Sequence, residues 1–230
     1  MRENLCTIPI NKILEEQNGC PVCAMRDIIE SRMIDYTLGD SMMEPDIRII
    51  TNKLGFCDKH LIKLKSGKNR LALALMLRTH LDELEKSVLS GGMFSSMKKS
   101  AATADEILKT CFVCDGIERN MSHLLDTFFK SYNTDSHFRE SYKNQEFLCF
   151  PHMALLLKNA EQKLDKSRKK EFFDVTKSLT LKYLEPLKSD LDKFTKMFDY
   201  RSKDLEWGDS RTAVARSVQV LGGSPVNEKK

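Results

Sequence analysis

Cys20-Pro21-Val22-Cys23 and, 33 residues further on, Cys57-Asp58-Lys59-His60 decide how this chain is read. The pair then recurs: Cys111-Phe112-Val113-Cys114 is followed after 34 residues by Cys149-Phe150-Pro151-His152. The two CxxC…CxxH sets use six of the seven cysteines and two of the five histidines. Three thiolates and an imidazole are the donor complement of a tetrahedral zinc site. Two intervening residues let the first ligand sit in a turn and the second in the opening turn of a helix, so both donors face one point. The N–H groups of a helix start also favour the thiolate that a metal needs.

The sequence therefore predicts metal ligands at Cys20, Cys23, Cys57, His60, Cys111, Cys114, Cys149 and His152. They would hold two zinc ions per chain. An iron–sulfur cluster is the alternative, because three Cys and one His can hold such centres too. A thioredoxin-type reading of Cys20-Pro21-Val22-Cys23 fails for want of a preceding strand. A c-type haem site fails because Ala24 and Asp115 stand where a His is required. Pairing within each half closes the shorter loops. A crossed arrangement, Cys20 and Cys23 with Cys149 and His152, satisfies the ligand count equally, and loop entropy separates the two by only about 0.6 kcal/mol per doubling. The expected architecture takes the local pairing.

The intervening sequence is helical in pattern. Ile28, Ile29, Met33 and Ile34 give an apolar face after the first CxxC, and Gly39-Asp40 closes that helix. A weaker helix is expected over Met43 to Lys53. Leu73, Leu77, Leu81, Leu84 and Val88 recur at helical steps after the first CxxH. Ile117, Met121, Leu124, Leu125 and Phe128 do the same after the second CxxC. Asn133-Thr134-Asp135 makes a turn and caps the next helix, and a long helical tract is expected from Lys166 to about Tyr200. In that tract Leu184, Leu187, Leu191, Phe194 and Phe198 form a stripe, and Pro186 is expected to kink or break it. A final helix carries Val214, Val218 and Leu221 and ends at Gly222-Gly223.

Small correspondences fall in register with the ligands: Ser31 with Ser122, Met33-Ile34 with Leu124-Leu125, Asp35 with Asp126, Asn52 with Asn144 and Leu64 with Leu156. They argue for an internal repeat. The expectation is an all-α fold of two tandem helical repeats, each stapled by a CxxC…CxxH zinc site, plus a C-terminal helix. The divisions are an arm over 1–18, a first repeat over 19–90, a linker over 91–104, a second repeat over 105–202, and a helix with polar tail over 203–230.

Composition narrows the function classes. Lys and Arg exceed Asp and Glu by 37 to 33, a net charge of +4 spread with mixed signs, too weak to argue a nucleic-acid or anionic-membrane partner. No apolar run approaches a membrane span. The first residues lack the apolar core of a secretory signal, and cysteines in such a chain point to a reducing compartment, so a cytoplasmic protein is expected. No HExxH, phosphate-binding loop or GxSxG is present. His80, His123 and His137 read as ordinary surface or half-buried histidines. Cys6 reads as an isolated thiol. Asp35 and Asp126 read as surface acids, with support of the metal ligands as the other reading. Lys163, Lys166, Arg168, Lys169 and Lys170 interleave with Glu161, Asp165 and Glu171 and read as a solvated helix face.

The CPxC and GFCxxH signatures, here Cys20-Pro21-Val22-Cys23 with Gly55-Phe56-Cys57-Asp58-Lys59-His60, resemble those of a bacterial family of uncharacterised helical proteins. Its members carry the pattern twice and end in a Trp-containing helical segment, as Trp207 and the stretch 210–221 do here. The second half departs from it, with Phe147-Leu148 where the first has Gly55-Phe56. The resemblance spans most of the chain and implies a bacterial cytosolic protein with no established activity. From the residues, the expected role is a zinc-stabilised protein-interaction or adaptor module, leaning away from an enzyme. A thiol and zinc redox switch is the alternative, ahead of a metal-dependent enzyme or a nucleic-acid binder. Whether the chain forms oligomers is left open.

Overall fold

A computed structural model describes residues 10–16, 19–89, 96–199 and 206–223, with Asp40 described by its backbone alone. Cys6, the Gly91-Gly92 stretch and the polar tail lie outside the described residues. The regular elements among them are all helices: α1 (Ile10–Glu16), α2 (Pro21–Leu38), α3 (Pro45–Leu54), α4 (Asp58–Ser66), α5 (Arg70–Leu84), α6 (Met97–Leu108), α7 (Phe112–Thr134), α8 (Ser136–Lys143), α9 (Phe150–Lys163), α10 (Lys166–Lys196) and α11 (Ala213–Gly222). A 3-10 turn (Asp40–Met43) precedes α3, a π turn (Glu85–Leu89) extends α5, and a 3-10 turn (Gly208–Thr212) leads into α11. The internal repeat is visible in the order of elements. A CxxC opens α2 and α7, a shorter helix follows (α3, α8), a CxxH opens α4 and α9, and a longer helix closes each half (α5, α10).

Local chemistry explains most boundaries. Pro45 begins α3, where its missing N–H had no partner to lose. Asn69 and Asp135 accept N-terminal N–H groups of α5 and α8 through their side chains. The expected linker over 91–104 is in large part helix, because Ser96 caps α6 by accepting the N–H of Lys99 at 3.2 Å. The break expected at Pro186 does not occur, and α10 runs unbroken from Lys166 to Lys196. Both Pro186 and Lys182, whose carbonyl loses its partner, are exposed, so solvent can reach what the proline leaves unpaired.

The chain forms two compact units that do not follow its sequential halves. One comprises 28–121; the other joins 1–27 to 122–230, the boundaries falling inside α2 and α7. In the 28–121 unit Leu38, Leu64 and Leu73 form a buried cluster with Ile34, Phe56 and Leu77 against it. The other unit is built on aromatic rings. Phe128, Phe129, Tyr132, Phe138, Tyr142 and Phe172 are all buried, with Phe128 edge-on to Phe138 at 5.1 Å and Tyr142 stacked on Phe172 at 5.3 Å. Such pairs add about 0.5–1.5 kcal/mol beyond burial itself. The apolar face expected of the last helix is turned outward: Val214, Val218 and Leu221 are exposed, and Ala213 and Val220 make the contacts instead.

Candidate metal centres

Every ligand pair opens a helix. The carbonyls of Cys20, Cys57, Cys111 and Cys149 accept the first intrahelical bonds, from the N–H groups of Ala24, Leu61, Asp115 and Met153 at 3.1, 2.9, 3.0 and 2.8 Å. The first ligand is thus the residue that caps the helix, and the second lies three residues on in its first turn. In one pair the cap geometry reaches the sulfur itself, Cys114 N–H lying 3.5 Å from Cys111 Sγ. The positive end of each helix therefore faces a developing thiolate.

The pairs meet two by two. In the unit joining 1–27 to 122–230, Cys20, Cys23, Cys149 and His152 converge; in the 28–121 unit, Cys57, His60, Cys111 and Cys114 do. His152 Nδ1 lies 3.7, 3.2 and 3.1 Å from the sulfurs of Cys20, Cys23 and Cys149, with Cys23 and Cys149 3.6 Å apart. His60 Nδ1 lies 3.2, 3.3 and 3.3 Å from Cys57, Cys111 and Cys114, with Cys57 and Cys114 3.8 Å apart. A tetrahedron with Zn–S near 2.3 Å and Zn–N near 2.0 Å has S···S edges of about 3.8 Å and S···N edges of about 3.5 Å. The sulfurs are far beyond the roughly 2.05 Å of a disulfide. Both donor sets fit a single tetrahedral ion.

All eight sequence-predicted ligands are brought together, but each CxxC joins the CxxH of the other half. The local pairing is not adopted. Crossing closes gaps of 125 and 50 residues instead of 33 and 34. That costs about 1.5 kcal/mol more in chain entropy. Hydrogen bonds and burial beside the ligands exceed it. Gly55 accepts the N–H of Phe112 at 2.9 Å and Leu54 accepts Thr110 Oγ1 at 2.7 Å, tying one CxxH turn to its CxxC turn. In the other unit Gly19 N–H donates to Glu146 at 2.7 Å, and Val22, Met25, Phe147 and Leu148 are buried around the ligands.

Gly55 has φ +59°, and a Cβ there would lie 2.7 Å from His80 Nε2, so this turn requires glycine. At the corresponding position Phe147 stacks on Tyr183 at 4.4 Å, so the departure between halves alters the filling of the turn and leaves the ligands in place.

Three thiols and an imidazole this close perturb one another. Hydrogen bonding with Cys149 and Cys23 pulls Cys20 far down, and the reciprocal contacts from Cys149 and Cys20 push Cys23 far up. Partial desolvation by its close neighbours, and Cys111 beside it, push Cys114 up to about 12, although the residue is exposed. Burial alone would lower His152, but hydrogen bonds with Cys149 and Cys20 outweigh it and lift the group to about 9. Thiols that cannot all ionise against one another are relieved by a divalent cation placed between them.

The two centres differ in what surrounds them. His60 Nε2 meets Glu30 Oε1 at 2.9 Å, and Glu30 is 4% exposed. Lys59 and Lys63 reach the same carboxylate at 3.2 and 2.7 Å. Burial would raise Glu30, but hydrogen bonds from Lys63 and Lys59 and their charges prevail and hold it down to about 2. Burial lowers His60 against the opposing pull of Glu30. A neutral imidazole that ligates through Nδ1 and donates Nε2–H to a carboxylate is the arrangement that fixes a metal-bound histidine. At the other centre Gly223, with φ +65° at the end of α11, packs on the cluster: a Cβ there would lie 3.2 Å from Cys149 Sγ.

Sequence reasoning missed both Glu30 and Gly223. The signal for Glu30 was an acid three residues before Met33, on the apolar face, with Lys59 and Lys63 one turn apart around His60. Asp126 instead pairs with Lys163 at the surface, and Asp35 is exposed. His123 and His137 are exposed, and His80 donates Nδ1–H to the Asn52 carbonyl at 2.8 Å. Lys169 pairs with Glu161 and Arg168 with Glu171, as a solvated face would.

A family model described as a family of unknown function, DUF6062, matches residues 1–228. The chain belongs to this family. No curated protein and no solved structure matches it. Among the described residues no helix is long and apolar enough to cross a membrane.

Proposed function

We propose that this DUF6062 member is a non-enzymatic, zinc-stabilised helical protein of the bacterial cytoplasm, whose zinc centres are structural and whose apolar groove receives a partner protein. The observation that carries the reading is the completeness of each donor set. A catalytic zinc keeps one position for water or substrate, whereas four protein donors at tetrahedral spacing fill these. Bound there, zinc would supply cross-linking energy, roughly 10–16 kcal/mol per site in zinc-finger peptides. Each set of donor atoms lies within 4.8 Å, which favours a single ion over a bridged iron–sulfur cluster. Six thiols held for a metal suit a reducing compartment.

The groove lies in the 28–121 unit, a cavity of about 720 Å³ walled by Phe56, Leu77, Leu81, Leu84, Ile107 and Leu108. Leu81 and Leu108 are 59% and 79% exposed at its rim. An apolar trough between helices suits the apolar face of an amphipathic helix.

Cobalt(II) substitution tests the metal reading. Two equivalents per chain with tetrahedral thiolate spectra are expected, and an octahedral spectrum would return the chain to the enzymes. A photo-crosslinker at Leu81 tests the groove. A discrete protein adduct that disappears in Leu77→Glu supports it, and an adduct pattern indifferent to that substitution refutes it.

A further inference from the structure

We infer that the two zinc centres are unequal, and that the Cys57/His60/Cys111/Cys114 centre is an oxidant-sensitive latch attacked at Cys114. The inference rests on the reading that both clusters hold zinc. At the other centre Cys20, Cys23 and Cys149 are 1%, 3% and 0% exposed, and Gly223 closes over Cys149. In the latch Cys114 is exposed and Cys57 half-exposed, with only Cys111 buried among the sulfurs. Ligand chemistry and helix-start geometry are the same at both, and Glu30 acts on His60 rather than on a sulfur, so for the sulfurs access is what separates the centres. With zinc bound Cys114 is held as a thiolate, and a thiolate that solvent reaches is the form of cysteine that two-electron oxidants attack.

The chemistry closes with one co-reactant, a hydroperoxide. A lone pair on Cys114 Sγ attacks the distal oxygen and the O–O bond breaks. Cys114 becomes a sulfenic acid, and the alkoxide leaves and takes a proton. Cys57 Sγ, 3.8 Å away, then attacks Cys114 Sγ and expels hydroxide, which leaves as water once protonated. Two thiolates have lost two electrons to the peroxide and gained one S–S bond. Only His60 and Cys111 then remain as donors, too few to hold the ion.

The consequence reaches the groove, since Gly55, Phe56, Cys57, Asp58 and Leu61 form one of its walls. Pulling Cys57 onto Cys114 moves that wall, so the groove would be read differently in reduced and oxidised protein.

The test uses the full chain carrying Cys6→Ser, loaded with zinc and titrated with hydrogen peroxide. Two ions at the start establish the reading beneath; none at the start refutes that reading, whatever follows. From two, the expected result is prompt loss of one ion, a Cys57–Cys114 disulfide by peptide mapping, and faster hydrogen exchange over 55–66 with 149–160 unchanged. Reductant and zinc should restore the starting state. Loss of both ions together, retention of both, first loss from the Cys20 centre, or a disulfide pairing Cys111 with Cys114 would overturn the inference. Limited alkylation of the untreated zinc protein gives a second readout that does not depend on any variant folding. Among the six clustered cysteines Cys114 should be modified first, and modification of Cys20, Cys23 or Cys149 ahead of it contradicts the assignment.

Discussion

Replacing Glu30 probes the support of His60 directly. The carboxylate accepts His60 Nε2–H at 2.9 Å while Lys59 and Lys63 hold it from the solvent side. Two effects oppose each other. With zinc bound as proposed, removing the acid lifts a negative charge from beside a centre whose three thiolates would already leave it net negative. It also removes a charge-assisted hydrogen bond worth about 1.5–3 kcal/mol. The lysines already neutralise much of the carboxylate's field and are 49% and 42% exposed, so the first effect is small and the second wins. Glu30→Gln keeps a neutral acceptor and should weaken zinc at this centre about tenfold; Glu30→Ala leaves Nε2–H unpaired and should approach a hundredfold. In free energy this is about 1.4 to 2.8 kcal/mol. Competition with a chromophoric chelator resolves the two ions, and only one should shift. The other centre is an internal control, because Met121 occupies the repeat-related position to Glu30. A loss shared equally by both ions, or none in the alanine variant, would refute the reasoning.

Gly223→Ala should do the converse, weakening zinc only at the Cys20 centre, because its Cβ would crowd Cys149 Sγ at 3.2 Å and its φ of +65° disfavours any side chain; chelator competition showing loss at the Cys114 centre would contradict it. Tyr132 and Tyr142 are both fully buried, but Tyr142 bonds Thr176 Oγ1 at 2.8 Å whereas the Tyr132 hydroxyl has no partner among the described residues. Tyr142→Phe should therefore cost about 1 kcal/mol and Tyr132→Phe should gain about as much, read from denaturation midpoints of zinc-loaded protein, and effects of the same sign would show the distinction to be false.

The candidate ligands were legible because metal chemistry writes such sets in residue type and spacing: a CxxC or CxxH at a helix start needs nothing distant to be recognised. The helices were legible for the same local reason, down to Asp135 capping α8. What failed to read through was long-range. Which CxxC meets which CxxH depends on where helices bury their faces, a contest in which the loop entropy visible in the sequence is the minor term. The break at Pro186 is not realised because its penalty depends on whether Lys182's carbonyl meets water or protein. Val214, Val218 and Leu221 keep helical spacing yet face outward, since periodicity marks a stripe without saying what covers it. Glu30 was hidden for a related reason: an acid becomes informative once its burial is known.

Metal content of the purified chain tests the central claim most directly. Elemental analysis of protein prepared under reducing conditions should return two zinc ions per chain, and a strong chelator should remove them with loss of cooperative melting. A metal-free preparation that melts cooperatively and is indifferent to the chelator would contradict it.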